Sequence, residues 1–299
     1  MKRTYFIFAL VGSILLYSCA GVVNFMDPKE PVYTASYVFA PYADISEIKI
    51  VSYNIAWAEK VDLAIEELRQ FRDVQHADIV FLQEMDKAGV DRIARELQYN
   101  YIYHPGSIHS VNDKDIGNAI LSKWRLTDAK KIIFPHKQSW NDRIRTATVA
   151  TVNVHGKHIR AYNVHTATVL MPEEKRFDQI ESVMQDVSSE FDFVIIGGDF
   201  NTARPGSVGR VERLFTDAGF ERATKDAGYT AKVFGLIPLT LDHIYTKGLH
   251  VLECGTVQQA EASDHLPLWV TLRFKKVSPQ FVELNALKLA QKANKTYHR

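Results

Sequence analysis

From Glu47 onward the chain alternates short runs of β-branched and apolar residues with amphipathic helical stretches, and few folds accommodate that order. Residues 48–53 predict a strand, 61–72 a helix, 78–83 a strand and 87–97 a helix. The middle is strand-rich over 117–121, 145–154 and 158–164, with His155-Gly156-Lys157 joining the last two as a hairpin turn. A helix is expected over 172–188, with Pro172 opening it, Glu173 and Glu174 in its first turn, and Phe177, Ile180 and Met184 on one face. Residues 191–196 read as a buried strand, the stretch from Thr202 as irregular, and 241–246 and 266–274 as closing strands. Two β-rich halves with helices between them predict a layered α/β sandwich. At 299 residues and 46% apolar composition, the chain can bury such a core as one large domain.

The first 18 residues stand outside that pattern. Lys2 and Arg3 precede an apolar run from Tyr5 to Tyr17, the layout of a signal peptide. The run ends at Ser18-Cys19-Ala20, similar to a lipoprotein processing site at which Cys19 would be lipidated. An uncleaved anchor and a plainly secreted chain are the alternatives, and all three place the body outside the cytoplasm. Residues 19–46, with Pro28, Pro31 and Pro41 and no periodicity, are expected to form a tether whose aromatic residues dock on the domain. The domain itself is expected over 47–275 and a basic tail over 276–299. Lipidation of Cys19 would leave Cys254 alone, as a buried thiol. With 36 Lys+Arg against 35 Asp+Glu, no global positive field marks a nucleic-acid polymer as partner. Loss of Lys2 and Arg3 turns the net charge of +1 to about −1.

Acids, amides and histidines fall where strands meet loops: Asn54, Glu84, His165, Asp199 with Asn201, Asp242, and Asp264 with His265. Each alone is most simply a turn or cap residue, but side chains at several strand ends can converge. In Ile195-Ile196-Gly197-Gly198-Asp199-Phe200-Asn201, the two glycines are expected to turn the backbone tightly before the acid and amide. Glu84 and Asp264 offer the oxygen ligands that a hard cation prefers. Asp242 and His265 are a carboxylate and an imidazole, a pairing that fixes the ring tautomer so that the far nitrogen can take a proton from water.

All of these but His165 lie in Ile50-Val51-Ser52-Tyr53-Asn54, Phe81-Leu82-Gln83-Glu84, Gly198-Asp199-Phe200-Asn201, Leu241-Asp242-His243-Ile244 and Ser263-Asp264-His265-Leu266-Pro267, and Gly117-Asn118-Ala119-Ile120-Leu121-Ser122 joins them in the same order along the chain. The set resembles the ordered motifs of the endonuclease/exonuclease/phosphatase superfamily over about residues 48–274. The resemblance implies a four-layer αββα sandwich of the α/β class, with two packed, mostly antiparallel β-sheets, and Mg²⁺ or Mn²⁺ as cofactor. It implies Glu84 as principal metal ligand with Asn54 beside it, and Asp264 assisting metal or histidine. Asp199 and Asn201 would orient nucleophile and phosphate, and His265, partnered by Asp242, would be the base. His165 is similar to the family's second histidine, which binds a phosphate oxygen or assists the leaving group. Arg145 is similar to the strand arginine that clamps phosphate, with Arg143 as rival. His243 stands where relatives often carry an aromatic residue, a place that an imidazole can fill. No role is assigned to His76, His104, His109, His136, His155, His158, His250 or His298.

Family nucleases that cut duplex DNA often place a basic residue two positions after the metal-binding Glu, whereas this chain has Glu84-Met85-Asp86. Together with the near-neutral charge, this favours a monomeric phosphodiesterase or phosphatase acting on small or lipid-linked phosphates. An extracytoplasmic nuclease and a catalytically inactive binding module are the alternatives.

Overall fold

The computed structural model describes residues 22–38, 46–108, 113–233 and 235–275. The expected signal segment, Cys19 and the basic tail lie outside the described residues. Among the described residues, no helix is long and apolar enough to cross a membrane.

Two mixed sheets pack face to face. The first runs in the order β1 (Tyr33–Ser36), β4 (Asn100–Ile108), β5 (Asp115–Ser122), β3 (Ile79–Met85), β2 (Glu47–Asn54), β15 (Leu268–Phe274), β14 (Leu249–Thr256). The second runs β10 (Glu221–Arg222), β13 (Asp242–Lys247), β9 (Phe193–Asp199), β8 (Lys157–His165), β7 (Thr146–Val154), β6 (Leu126–Ile133). A separate small hairpin pairs β11 (Ala231–Val233) with β12 (Ile237–Leu239). Within the two large sheets only β2–β3 and β8–β9 are parallel. Each of those pairs needs a crossover, supplied by helices α1 (Val61–Gln70) and α3 (Glu173–Asp186). Helices α1 and α2 (Lys87–Leu97) cover the outer face of the first sheet through Ile65, Leu68, Val90 and Ile93. Helices α3 and α4 (Pro205–Asp217) cover the second through Ile180, Val183, Val211 and Phe215. The result is the αββα sandwich.

The period-2 alternation of the strands determines what lies between the sheets. Ile48 and Ile50 of β2, Ile79 and Phe81 of β3, Ile159 and Ala161 of β8, and Ile195 of β9 form the central layer. Continuing each strand by two residues on the same face replaces hydrocarbon with Ser52, Gln83 and Asn163. Gln83 donates to Ser52 Oγ at 3.2 Å and to Asn163 Oδ1 at 2.6 Å. Asn163 donates to the carbonyls of Leu82 and Ala119 in the opposite sheet, at 2.8 and 2.7 Å. These amides bond one another at the point where the core becomes polar, with Gln83 Oε1 left without a partner. Two residues further along β2 and β8 come Asn54 and His165, two of the expected catalytic positions.

Several expectations differ from the structure. The stretch after Thr202 contains helix α4, whose two glycines, Gly206 and Gly209, depress helix propensity and hid an apolar face of Val211 and Phe215. Strand β4 passes through Pro105-Gly106, a pair that reads as a turn but here accompanies a register irregularity. The tether carries β1, which pairs with β4, and Tyr33 stacks on Tyr103 with ring centroids 6.1 Å apart. Gly197 and Gly198 do not make a turn; both lie within β9. Gly198 has φ 133°, and a Cβ there would stand 2.0 Å from the Val164 carbonyl oxygen, so close strand approach requires glycine. Cys254 is half-buried and free.

His104, one of the unassigned histidines, lies buried on β4 with no hydrogen-bond partner on either ring nitrogen. Burial, with Lys131 nearby, lowers its pKa to about 4. The ordinary value is about 6.5, so between those limits the unfolded chain binds a proton that the folded chain refuses. Stability present above pH 6.5 is therefore lost as pH falls toward 4. Going from pH 7 to pH 5 should cost about 2 kcal/mol through this group. Denaturant titrations at both pH values should show His104→Leu losing less stability than wild type; an equal loss would clear His104 of the effect.

Candidate active site

The registers of four neighbouring strands set one row across the end of the second sheet: Thr146 pairs with His165, His165 with Asp199, and Asp199 with Asp242. Opposite them, Asn54 ends β2 beside Gln83 of β3. Strict alternation would aim Glu84 at the helices. A register irregularity between Leu82 and Met85, with Glu84 at φ 56°, re-aims its carboxylate into the space between the sheets. Asn54, Glu84, Arg145, His165, Asp199, Asn201, Asp264 and His265 line one cleft of about 540 Å³. Asp242 stands behind His265.

His265 Nδ1 meets Asp242 Oδ2 at 2.8 Å, and its Nε2 lies 3.8 Å from Asp199 Oδ2. Burial opposes a charge on the ring, but Asp242 and Asp199 outweigh it and raise its pKa to about 10. The loop bearing His265 is pinned from both sides. Glu67 of α1 accepts from the Glu261 and Ala262 amides at 2.6 and 2.9 Å. Thr230 Oγ1 accepts from the Leu241 and Asp242 amides at 2.9 and 3.0 Å, and the Thr230 carbonyl accepts from the Leu266 amide at 2.7 Å. Asp199 accepts from Asn54 Nδ2 at 3.1 Å and from the Asn201 amide at 2.9 Å. Burial first, then Asp242, raises its pKa to about 7 in spite of His265.

His165 is different. Its Nδ1 lies 3.1 Å from Arg145 Nη1, and a guanidinium cannot accept, so Nδ1 is the acceptor and Nε2 carries the proton. Burial and the cations Arg145, His265 and Arg143 hold its pKa well below the ordinary value. Its Nε2–H, 3.7 Å from Glu84 and 3.5 Å from Asp199, is a neutral donor facing the cleft. Such a group suits a phosphate oxygen and is a weak acid for a leaving group.

Arg145 is more engaged than a free phosphate clamp. With its amide oxygen turned toward the guanidinium, Gln138 accepts from Nε and Nη2 at 3.0 Å each, and His165 takes Nη1, leaving two of five N–H groups. The rival Arg143 donates to Ser107 Oγ at 3.3 Å and lies over the Trp57 ring at 4.6 Å. Trp57, which the sequence did not single out, sits in a left-handed turn with Ala56 and Ala58 at φ 28°, 63° and 54°. Its one sequence signal is Asn54, whose Oδ1 accepts from the Ala56 amide at 3.1 Å. His243 fills an aromatic place: it is buried against Phe200, with ring centroids 5.7 Å apart, and its Nε2 meets Thr202 Oγ1 at 3.0 Å. Burial lowers its pKa to about 3.

Asp86 does not face substrate. It accepts from the Gly89 amide at 2.6 Å as the N-cap of α2, and pairs with Lys114 at 2.9 Å. Its charge is neutralised locally, and the objection to nucleic acid drawn from it falls.

Two donor sets could hold a cation. Ligand atoms of Asp199, Asp242 and His265 all lie within 4.8 Å of one another. That set is a poor one, because Asp242 occupies His265 Nδ1 at 2.8 Å, so the two groups bond each other rather than a cation. Glu84 fits better: the Arg145 guanidinium and the neutral His165 Nε2 both stand 3.7 Å away, beyond hydrogen-bond length, so its oxygens keep lone pairs for a ligand. With Asn54 and the exposed Asp264 on the same cleft, the donors are oxygens, as a hard divalent cation requires.

Two packed sheets whose facing polar ends carry this set define the phosphoesterase and nuclease class of sandwich. A sequence model described as the Endonuclease/Exonuclease/phosphatase family matches residues 51–265. The chain belongs to that family, whose members typically hydrolyse phosphate esters and use divalent metals. UPF0294 proteins of Yersinia pseudotuberculosis and Yersinia pestis are each 26% identical over 127 residues, 42% of this chain and 47% of theirs. The match thus spans about half the length of these curated relatives. An endonuclease/exonuclease/phosphatase from Bacteroides vulgatus is similar in structure, with TM-score 0.63 and 18% identity over 77% of this chain and 100% of that one. D. rerio TDP2 in complex with single strand DNA product gives TM-score 0.61 and 20% identity, again over 77% and 100%.

Proposed function

We propose that the chain is a divalent-metal-dependent phosphoesterase acting outside the cytoplasm on a small or lipid-linked phosphate. The observation that carries this reading is the Asp242–His265 pair, at 2.8 Å, opening onto the same cleft as Glu84 and the neutral donor His165. His265 takes the proton of a water molecule as the water oxygen bonds to phosphorus; the P–O ester bond breaks, and the ester oxygen leaves with its electron pair and takes a proton from solvent water. Asp242 holds the ring tautomer and stabilises the imidazolium that results. His165 Nε2–H and the two remaining Arg145 N–H groups receive phosphate oxygens, while Asp199 and Asn201 orient the reacting groups. Glu84, with Asn54 and Asp264, would hold Mg²⁺ or Mn²⁺, whose charge would stabilise the phosphate oxygens and lower the pKa of the nearby imidazole.

Cleavage of single-stranded nucleic acid is the second reading, favoured because Asp86 is capped and paired away from the cleft. A binding-only module would have no use for a buried Asp–His pair. The test is hydrolysis by the purified full chain, in EDTA and then with Mg²⁺ or Mn²⁺, across phosphomonoesters, phosphodiesters, phospholipids and single-stranded DNA. Metal-dependent hydrolysis of a phosphodiester or phospholipid supports the first reading, and preference for DNA the second. Turnover unaffected by EDTA would overturn both.

The anchor is testable separately. Cys19→Ser should shift the chain from the membrane fraction to a soluble or unprocessed form, because stable anchoring needs acyl chains. An unchanged membrane fraction at unchanged mass would assign the anchoring to an uncleaved N-terminal segment.

A further inference from the structure

The segment expected to be a tether is fastened to the domain at its catalytic end. Asn24 accepts from the Ile144 amide at 3.1 Å and donates to the Asp142 carbonyl at 2.9 Å. Val23 O accepts from the Ile108 amide at 2.8 Å, and the Phe25 amide donates to Gly106 O at 2.9 Å. Gly106 and Ser107, which flank this attachment, share a small cavity with Glu84, Arg145 and His165. Four extended residues reach at most about 14 Å, so an anchor at Cys19 could not stand far from Val23.

The surface at that end is apolar. Among the described residues, eight large apolar side chains are conspicuously exposed, and six of them lie on the cleft or on segments tied to its borders: Val23, Trp140, Val169, Leu170, Leu236 and Ile237. The segments that carry the first four are joined, since the Trp140 loop meets Asn24 through Asp142 and meets the Leu170 loop through Ser139 Oγ to Met171 Sδ at 3.2 Å. Val169 lines the cleft itself. Leu236 and Ile237, 85% and 52% exposed, stand across the cleft on the β11–β12 hairpin, whose Lys232 amide donates to Asp264 O at 2.7 Å. Exposed apolar groups gathered on one face call for a partner.

We propose that this face docks on a lipid bilayer: with the chain anchored just before Val23, the rim seats in the headgroup boundary, and the cleft receives the phosphoester of a lipid head group. The identity of the substrate rests on the phosphoesterase reading; the docking does not. An anchor near the mouth and apolar residues on both its sides fit a plane, and interfacial apolar groups typically sink about 5–10 Å into the headgroup and acyl boundary.

The test is tryptophan quenching in the full chain, reconstituted into vesicles of phosphatidylcholine and phosphatidylglycerol with brominated acyl chains, with Trp140→Phe giving the Trp140 emission by difference. Docking predicts loss of most of that emission, in wild type and in catalytically disabled Glu84→Gln alike, so a failed phosphoesterase reading would leave the result standing. Leu170→Asp combined with Leu236→Asp should restore the emission. It should also slow hydrolysis of vesicle phospholipid by about tenfold or more while sparing a soluble phosphodiester. Unquenched Trp140 in protein that sediments with vesicles would overturn the proposal, as would a full chain that does not sediment with them. Loss of single-stranded DNA cleavage in the double variant, with vesicle hydrolysis unchanged, would assign the rim to nucleic acid and overturn it too.

Discussion

Glu84→Gln should abolish Mg²⁺-supported hydrolysis by roughly 10³-fold, the several kcal/mol that a metal ion contributes to stabilising transition-state charge. The substitution is nearly isosteric and removes a carboxylate whose nearest charged partners stand 3.7 Å away, so the fold should survive. Its cost to stability comes from leaving the Arg145 guanidinium without its facing anion. Measured apart, metal binding by calorimetry should weaken together with turnover, and the urea midpoint should move little. Full turnover by the variant, or by wild type in excess EDTA, would remove Glu84 from the metal site.

The second large effect is expected at His265. His265→Ala should lose about 10²–10⁴-fold in turnover, the usual worth of positioned general-base assistance, and much less in metal affinity. Asp242→Ala should cause a comparable loss, because Asp242 bonds His265 Nδ1 at 2.8 Å and supports the ring's charged form. The double variant should be barely worse than either single one, since the two residues act as a unit. Additive losses would break the pair, and near-wild-type turnover by His265→Ala would take the base role from this residue. Asp242→Asn should also bring the ring's pKa down from about 10, a shift that proton NMR of the metal-free protein can follow.

Most of the cleft was legible because its residues end strands whose central parts are plainly apolar. Alternation carries Asn54, His165, Asp199 and Asp242 onto the inner faces, and neighbouring registers bring them to one edge. The aim of Glu84 was not legible, for the bulge that turns it inward depends on pairing with β5 rather than on local sequence. Trp57 was missed for a related reason: Ala56-Trp57-Ala58 reads as helical, and only the surrounding structure holds it left-handed. Asp86 misled because a charge was read without its partners, a cap amide and Lys114. Helix α4 and strand β4 were obscured by Gly206, Gly209, Pro105 and Gly106, residues that tertiary packing tolerated.

The bond that breaks, and the group that breaks it, can be read in a single experiment: turnover of a phosphodiester in water enriched in oxygen-18, started with Mg²⁺, followed by mass spectrometry of both products. One labelled oxygen on the phosphate product and none on the alcohol is the expected result, at a rate that collapses in His265→Ala. Label on the alcohol, or a phosphate product without label, would contradict attack of water on phosphorus in this cleft.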